Sequence, residues 1–197
     1  MVRFSRREIY EIGVSVVVLT VAFAIVFMQW YDLPEATALG EFATWLIICF
    51  VIVLAGFVFH ELGHKFVAQA YGAWAEYRMY PQGLGLALVV SLLGFIFAAP
   101  GAVYIQGMIS KRQNGMISVA GPMVNLVVGI IALLVASLLN GGMLEFAFLM
   151  LARISLILAL FNLIPFPPLD GSKVIRWSPV VYFLVAGSAL VMFIMTF

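Results

Sequence analysis

Twenty consecutive residues, Ile12 to Tyr31, carry no charged side chain. A helix needs about 20 apolar residues to cross the ~30 Å hydrocarbon core of a bilayer. Four more apolar stretches of similar length recur: Phe42–Tyr71, Met116–Leu139, Leu144–Ile164 and Pro179–Phe197. Such a chain cannot bury all these runs in a water-soluble core. Its composition agrees, with 65% hydrophobic and only 10% charged residues, against roughly 45–50% and about 25% in soluble domains. The reading is an all-α polytopic membrane protein of about five to six transmembrane helices. Residues 1–197 form one integral membrane domain, with its core at 42–173. A net charge of +1 gives no electrostatic case for nucleic acid. The single cysteine, Cys49, excludes an internal disulfide.

The N-terminus has the charge pattern of a signal peptide, with Arg3, Arg6 and Arg7 before an apolar run. No small-x-small cleavage site follows, so it reads as a retained first span with interfacial Trp30 and Tyr31. An acidic linker with Asp32, Pro34, Glu35 and Glu41 comes next. A further apolar segment, Leu84–Ile105, is long enough to span but is broken by Gly85, Gly94, Pro100 and Gly101.

Inside the second span lies His60-Glu61-Leu62-Gly63-His64. Residues four apart share a helical face, so His60 and His64 can offer imidazoles to one metal ion. Glu61, one step round the helix, is placed to act as a base on water at that metal. These are the only two histidines of the chain. Ionisable groups inside a span are expensive and usually functional. Catalytic zinc takes three protein ligands and leaves a place for water, so a third ligand must come from elsewhere. Cys49 shares the face but lies about 16 Å away along the helix. Glu76, in the turn after the motif, is one possibility. Asp170 is the stronger one, because it is embedded in the apolar, Pro-rich run Pro165-Phe166-Pro167-Pro168-Leu169 and is followed by Gly171.

Asp170 serves only if it reaches the same membrane face as the histidines. The positive-inside bias puts Arg3, Arg6 and Arg7 in the cytoplasm and His60 and His64 near the cytoplasmic end of the second span. If Leu84–Ile105 enters the bilayer and returns, Lys111, Arg112, Lys173 and Arg176 also lie inside, and Asp170 arrives beside the histidines. Such backbone is tolerated where protein or a water-filled cavity satisfies it. The alternative is a sixth true span, with Asp170 not a ligand. The protein is thus expected in the cell membrane, multi-pass, with its site near the cytoplasmic side.

His60-Glu61-Leu62-Gly63-His64, then Ala120-Gly121-Pro122 with Asn125, then Asn162, Pro165 and Leu169-Asp170-Gly171 together resemble the site-2 protease family of intramembrane zinc metalloproteases. The resemblance covers roughly Ile47 to Lys173. It implies one Zn2+ per chain on His60, His64 and Asp170, with Glu61 activating water. It associates Asn162 with the active site and implies membrane-associated β structure after the motif helix. The implied substrate is a transmembrane protein or peptide. A helical substrate hides its peptide bonds and must unwind locally, and an extended one can pair with a strand edge from Leu84–Ile105. Larger relatives carry PDZ or CBS domains, for which this chain is expected to have no room. Asn125 reads as a packing residue, with Gly121 and Pro122 shaping a close helix contact. Arg153 has no assigned role; a headgroup reached by snorkelling or a carboxylate such as Glu145 could meet its charge. The competing reading is a non-catalytic zinc-binding scaffold or a metal transporter. A transporter would be expected to spread ligands along several spans, whereas here they gather at one level.

Overall fold

A computed structural model describes residues 3–31, 37–96 and 98–197. Asp32, Pro34 and Glu35 of the acidic linker lie outside the described residues. The chain is mainly helical. The elements in order are α1 (Arg6–Trp30), α2 (Ala38–Val53), a turn of π-helix (Leu54–Val58), α3 (Phe59–Ala70), β1 (Trp74–Met79), α4 (Pro81–Ser91), β2 (Gly101–Gln106), α5 (Lys111–Ser137), α6 (Met143–Asn162), α7 (Asp170–Trp177) and α8 (Pro179–Ile194). Among the described residues, four helices are long and apolar enough to cross a membrane: Arg6–Trp30, Leu39–Ala70, Lys111–Ser137 and Met143–Asn162. This is a membrane protein.

The expected tally of five to six spans counted two segments that come out shorter. The last candidate span is α8, 16 residues long, which covers about 24 Å at the helical rise. Leu84–Ile105 is not one continuous helix either. It contains most of the 11-residue α4, then Gly94 at φ +79°, then most of β2. Gly94 takes a left-handed conformation that side chains with a Cβ resist, so the helix stops there.

Local chemistry accounts for the starts of the helices. Ser5 Oγ accepts from Glu8 N at 3.1 Å and opens α1. Thr37 Oγ1 does the same for Gly40 N at the start of α2. Ser110 and Gln113 form a reciprocal capping box at α5, with Gln113 N donating to Ser110 Oγ and Ser110 N to Gln113 Oε1. Pro81 and Pro179 stand in the first turns of α4 and α8, where a missing N–H costs nothing.

The described residues fall into two compact units, one built from Arg3–Leu54 and Glu76–Tyr104, the other from Ala55–Ala75 and Ile105–Phe197. In the first, α1 packs on α2 through Phe27 and Trp45, whose rings meet edge-on at 5.5 Å. Glu8, fully buried, accepts from Tyr77 N at 2.9 Å, and Glu11 accepts from Met79 N at 2.9 Å. Two α1 carboxylates thereby bond one edge of β1, while β2 pairs with the other. Tyr80 N donates to Pro100 O at 2.8 Å, closing the ladder. At the far end of α1, Gln29 Nε2 and Trp30 Nε1 donate to the carbonyls of Ser91 and Gly94. They thereby satisfy the carbonyl end of α4, which has no further helical turn.

In the second unit α5 is central. Gly63 of α3 lets that helix approach α5 so closely that a Cβ there would lie 3.1 Å from Ala120 O. Gly129 lets Leu156 of α6 seat against α5, since a Cβ would meet Leu156 Cγ at 2.6 Å. Leu126, Leu156, Ala159, Leu163, Val185 and Ala189 make one buried cluster between α5, α6 and α8. Arg153 of α6 donates to Thr196 O through Nε (3.1 Å) and Nη2 (2.5 Å), and its guanidinium lies over the Phe197 ring at 4.8 Å. It is not paired with Glu145, whose carboxylate instead accepts from Gly141 N. A charge inside the span is met here by a carbonyl beyond the last turn of α8, an end where cations are favoured.

Candidate metal centre

All residues of the candidate centre lie in the second unit. The π-helical turn Leu54–Val58 runs directly into α3, and α3 begins at Phe59. His60 and His64, four residues apart, put their rings 4.7 Å apart, centroid to centroid. Asp170 is the first residue of α7. It is brought to them because Gly171 lies tight against the Leu163 carbonyl at the end of α6, leaving no room for a side chain. His60 Nε2 and His64 Nε2 are 3.1 Å apart. Asp170 Oδ2 lies 3.0 Å from His64 Nε2 and 3.6 Å from His60 Nε2. The three ligand atoms all fall within 4.8 Å of one another, and all three residues are buried.

The residues fit a divalent cation. Three electron-pair donors converge on one point in a buried place, an arrangement that is costly without positive charge between them. Two imidazoles and one carboxylate are a donor set of catalytic zinc. Gly121 of α5 faces the same point. A Cβ on it would lie 2.7 Å from His60 Nε2 and nearer still to His64 Nε2. A side chain at 121 would therefore fill the space in which a ligated ion has to sit. Burial alone would raise the Asp170 carboxyl, and protonated His64 and His60 beside it would lower it. Lys173 Nζ lies 3.6 Å from its other oxygen, Oδ1.

The outer atoms of the rings are held as well. His64 Nδ1 donates to Ile117 O at 2.7 Å. His60 Nδ1 is 3.2 Å from the Asn125 side-chain amide. Asn125 is fully buried, and its amide meets a histidine, a contact that the packing reading did not include. The signal for this lay in spacing. Ile117, Gly121 and Asn125 recur every four residues on α5, matching the four-residue step of the two histidines on α3.

Glu61 sits half-buried in the first turn of α3. Asn162, at the end of α6, donates through Nδ2 to Leu158 O of its own helix at 2.9 Å. Glu76 is engaged in the first unit, ion-paired with Arg78 and accepting from Ser5 Oγ. Cys49 is buried in α2.

Apolar spanning helices with a buried His₂–Asp group define a membrane metalloprotein of the zinc-hydrolase kind. The chain is 37% identical over 186 residues to the candidate zinc metalloprotease MJ0611 of Methanocaldococcus jannaschii, spanning 93% of this chain and 91% of that one. It is 30% identical over 136 residues to the zinc metalloprotease MJ0392 of the same organism, spanning 67% of this chain but 34% of that longer protein. It is 32% identical over 148 residues to the candidate zinc metalloprotease YwhC of Bacillus subtilis, 64% of this chain and 66% of that one. No family model and no solved structure matches the chain. The chain belongs to the site-2 protease family of zinc metalloproteases, and its cofactor is zinc.

Proposed function

We propose that the protein hydrolyses a peptide bond in or near the transmembrane segment of a membrane-protein substrate, with zinc held by His60, His64 and Asp170 and with Glu61 as general base. The observation that carries this reading is the convergence of the three ligand atoms within 4.8 Å, two of them on the helix that also carries Glu61. Zinc in such a site supplies a Lewis acid that lowers the pKa of water towards about 7 and polarises a carbonyl. Glu61 takes the proton from the attacking water at its carboxylate oxygen and returns it to the leaving amine. A base of this kind contributes about 10²–10⁴-fold. Asn162 keeps one amide hydrogen and its Oδ1 beyond the bond to Leu158, and these hold the substrate backbone or the developing oxyanion.

A helical substrate must unwind locally before its carbonyl can reach these groups. In the cell membrane, the start of α5 with Lys111 and Arg112 and the short α7 with Lys173 and Arg176 face the cytoplasm, the segment 84–105 enters and leaves on one side, and the site opens towards the cytoplasmic face. Cleavage of a membrane-embedded model peptide by purified protein tests the reading. Glu61→Gln abolishes cleavage while one zinc per chain stays bound, and chelation abolishes it in the wild type. A Glu61→Gln variant that cleaves normally refutes the assigned role. The scaffold or transporter alternative has no observation in its favour.

A further inference from the structure

An imidazole that gives its Nε2 electron pair to a cation carries its proton on Nδ1, and that N–H needs an acceptor when buried. For His64 the acceptor is the Ile117 carbonyl, 2.7 Å away. For His60 the group at Nδ1 is the Asn125 amide at 3.2 Å. As the amide stands, its nitrogen faces His60, and its Oδ1 is buried with no hydrogen-bond partner among the described residues. An unpaired buried acceptor costs about 1–3 kcal/mol. Turning the amide over about its Cβ–Cγ bond brings Oδ1 to His60 and gives it a donor.

We propose that Asn125 is a positioning residue for the metal: its Oδ1 accepts from His60 Nδ1–H and so aims the Nε2 electron pair of His60 at the point shared with His64 and Asp170. This inference rests on the zinc reading above. It gives α5 one consistent task along a single stripe. Ile117 orients one ligand, Gly121 leaves space for the ion, and Asn125, one more turn along, orients the other ligand. The close approach of α3 to α5 at Gly63 sets the two helices in register for this. A backbone carbonyl suffices for His64. For His60 the group within reach is a side chain, the Asn125 amide.

The test uses the full chain in detergent and measures zinc affinity by competition with a chromophoric chelator. Asn125→Ala is expected to bind zinc about 10–100-fold more weakly, the usual effect of losing the partner of a ligating histidine. Asn125→Asp and Asn125→Leu both keep the branched four-atom skeleton of asparagine, so comparing them separates the acceptor from the shape even if the alanine variant does not fold. The aspartate variant is expected to keep an affinity near the wild type, and the leucine variant to lose it. With two histidines in the chain, ¹⁵N-histidine spectra of the zinc-loaded protein should show both protons on Nδ1, the His60 signal moving in Asn125→Leu. Wild-type affinity in Asn125→Leu, or equal loss in the aspartate and leucine variants, overturns the proposal. If the wild type takes up no zinc, or His60→Ala keeps it, the zinc reading itself falls; if those controls behave and Asn125→Leu is silent, this inference alone falls.

Discussion

Gly121→Ala is the most informative single change in the second unit, because one methyl group is set against the whole centre. Its Cβ would stand 2.7 Å from both His60 Nε2 and His60 Cε1 and closer still to His64 Nε2. Ordinary van der Waals contact begins at 3.4 Å, so His60 alone must retreat by about 0.7 Å. A zinc site tolerates ligand distances within about 0.2 Å. The rings have little freedom to retreat together, since the outer nitrogens are held by Ile117 O and Asn125 at 2.7 and 3.2 Å. Losing a ligating nitrogen should cost more affinity than the about 10–100-fold that follows loss of a hydrogen bond to a ligand. Overpacking should also cost about 1–3 kcal/mol of stability. Metal analysis after dialysis against a weak chelator reads the first effect, and thermal unfolding in detergent reads the second. A folded Gly121→Ala protein that keeps one zinc with wild-type affinity would refute the placement of the ion.

Three other perturbations touch different parts of the chain. Glu8→Ala removes the acceptor of the buried Tyr77 N–H and should destabilise the chain by about 1–3 kcal/mol, seen as a lower melting temperature; an unchanged melt would mean that α1 does not hold β1. Arg153→Ala strips two hydrogen bonds from Thr196 O and should lower stability by a similar amount while zinc content stays at one per chain. Lys111→Cys places an exposed thiol in a chain whose own Cys49 is buried. An impermeant maleimide should label it only after cells are opened, and labelling of intact cells would reverse the proposed topology.

How far the fold could be read from the residues depended on whether the deciding contact was periodic along one helix or shared between two. The runs around Ile12–Tyr31 and Met116–Leu139 announce spanning helices, because length and apolarity alone are enough for a span. The four-residue step from His60 to His64 likewise puts two rings on one face without knowledge of any partner. Asp170 could be singled out because a carboxylate in a Pro-rich apolar stretch is out of place unless something binds it. Beyond that, pairing decides. The sequence around Leu84–Ile105 has the length of a span, yet α4 ends at Ser91 and the chain turns through Gly94, where Gln29 and Trp30 of α1 meet the freed carbonyls, a contact 62–64 residues away. Arg153 looked for a carboxylate or a headgroup, and found the carbonyl of Thr196. Asn125 shows the limit most sharply: in its own helix it sits where a packing asparagine would sit, next to Gly121 and Pro122. Its chemistry becomes visible only when α3 is laid against α5 in the register that Gly63 allows. A pair of four-residue steps on two helices meaning to meet is therefore a pattern worth seeking in a membrane chain before the structure is known, since it needs no more than the sequence and the assumption that the helices touch.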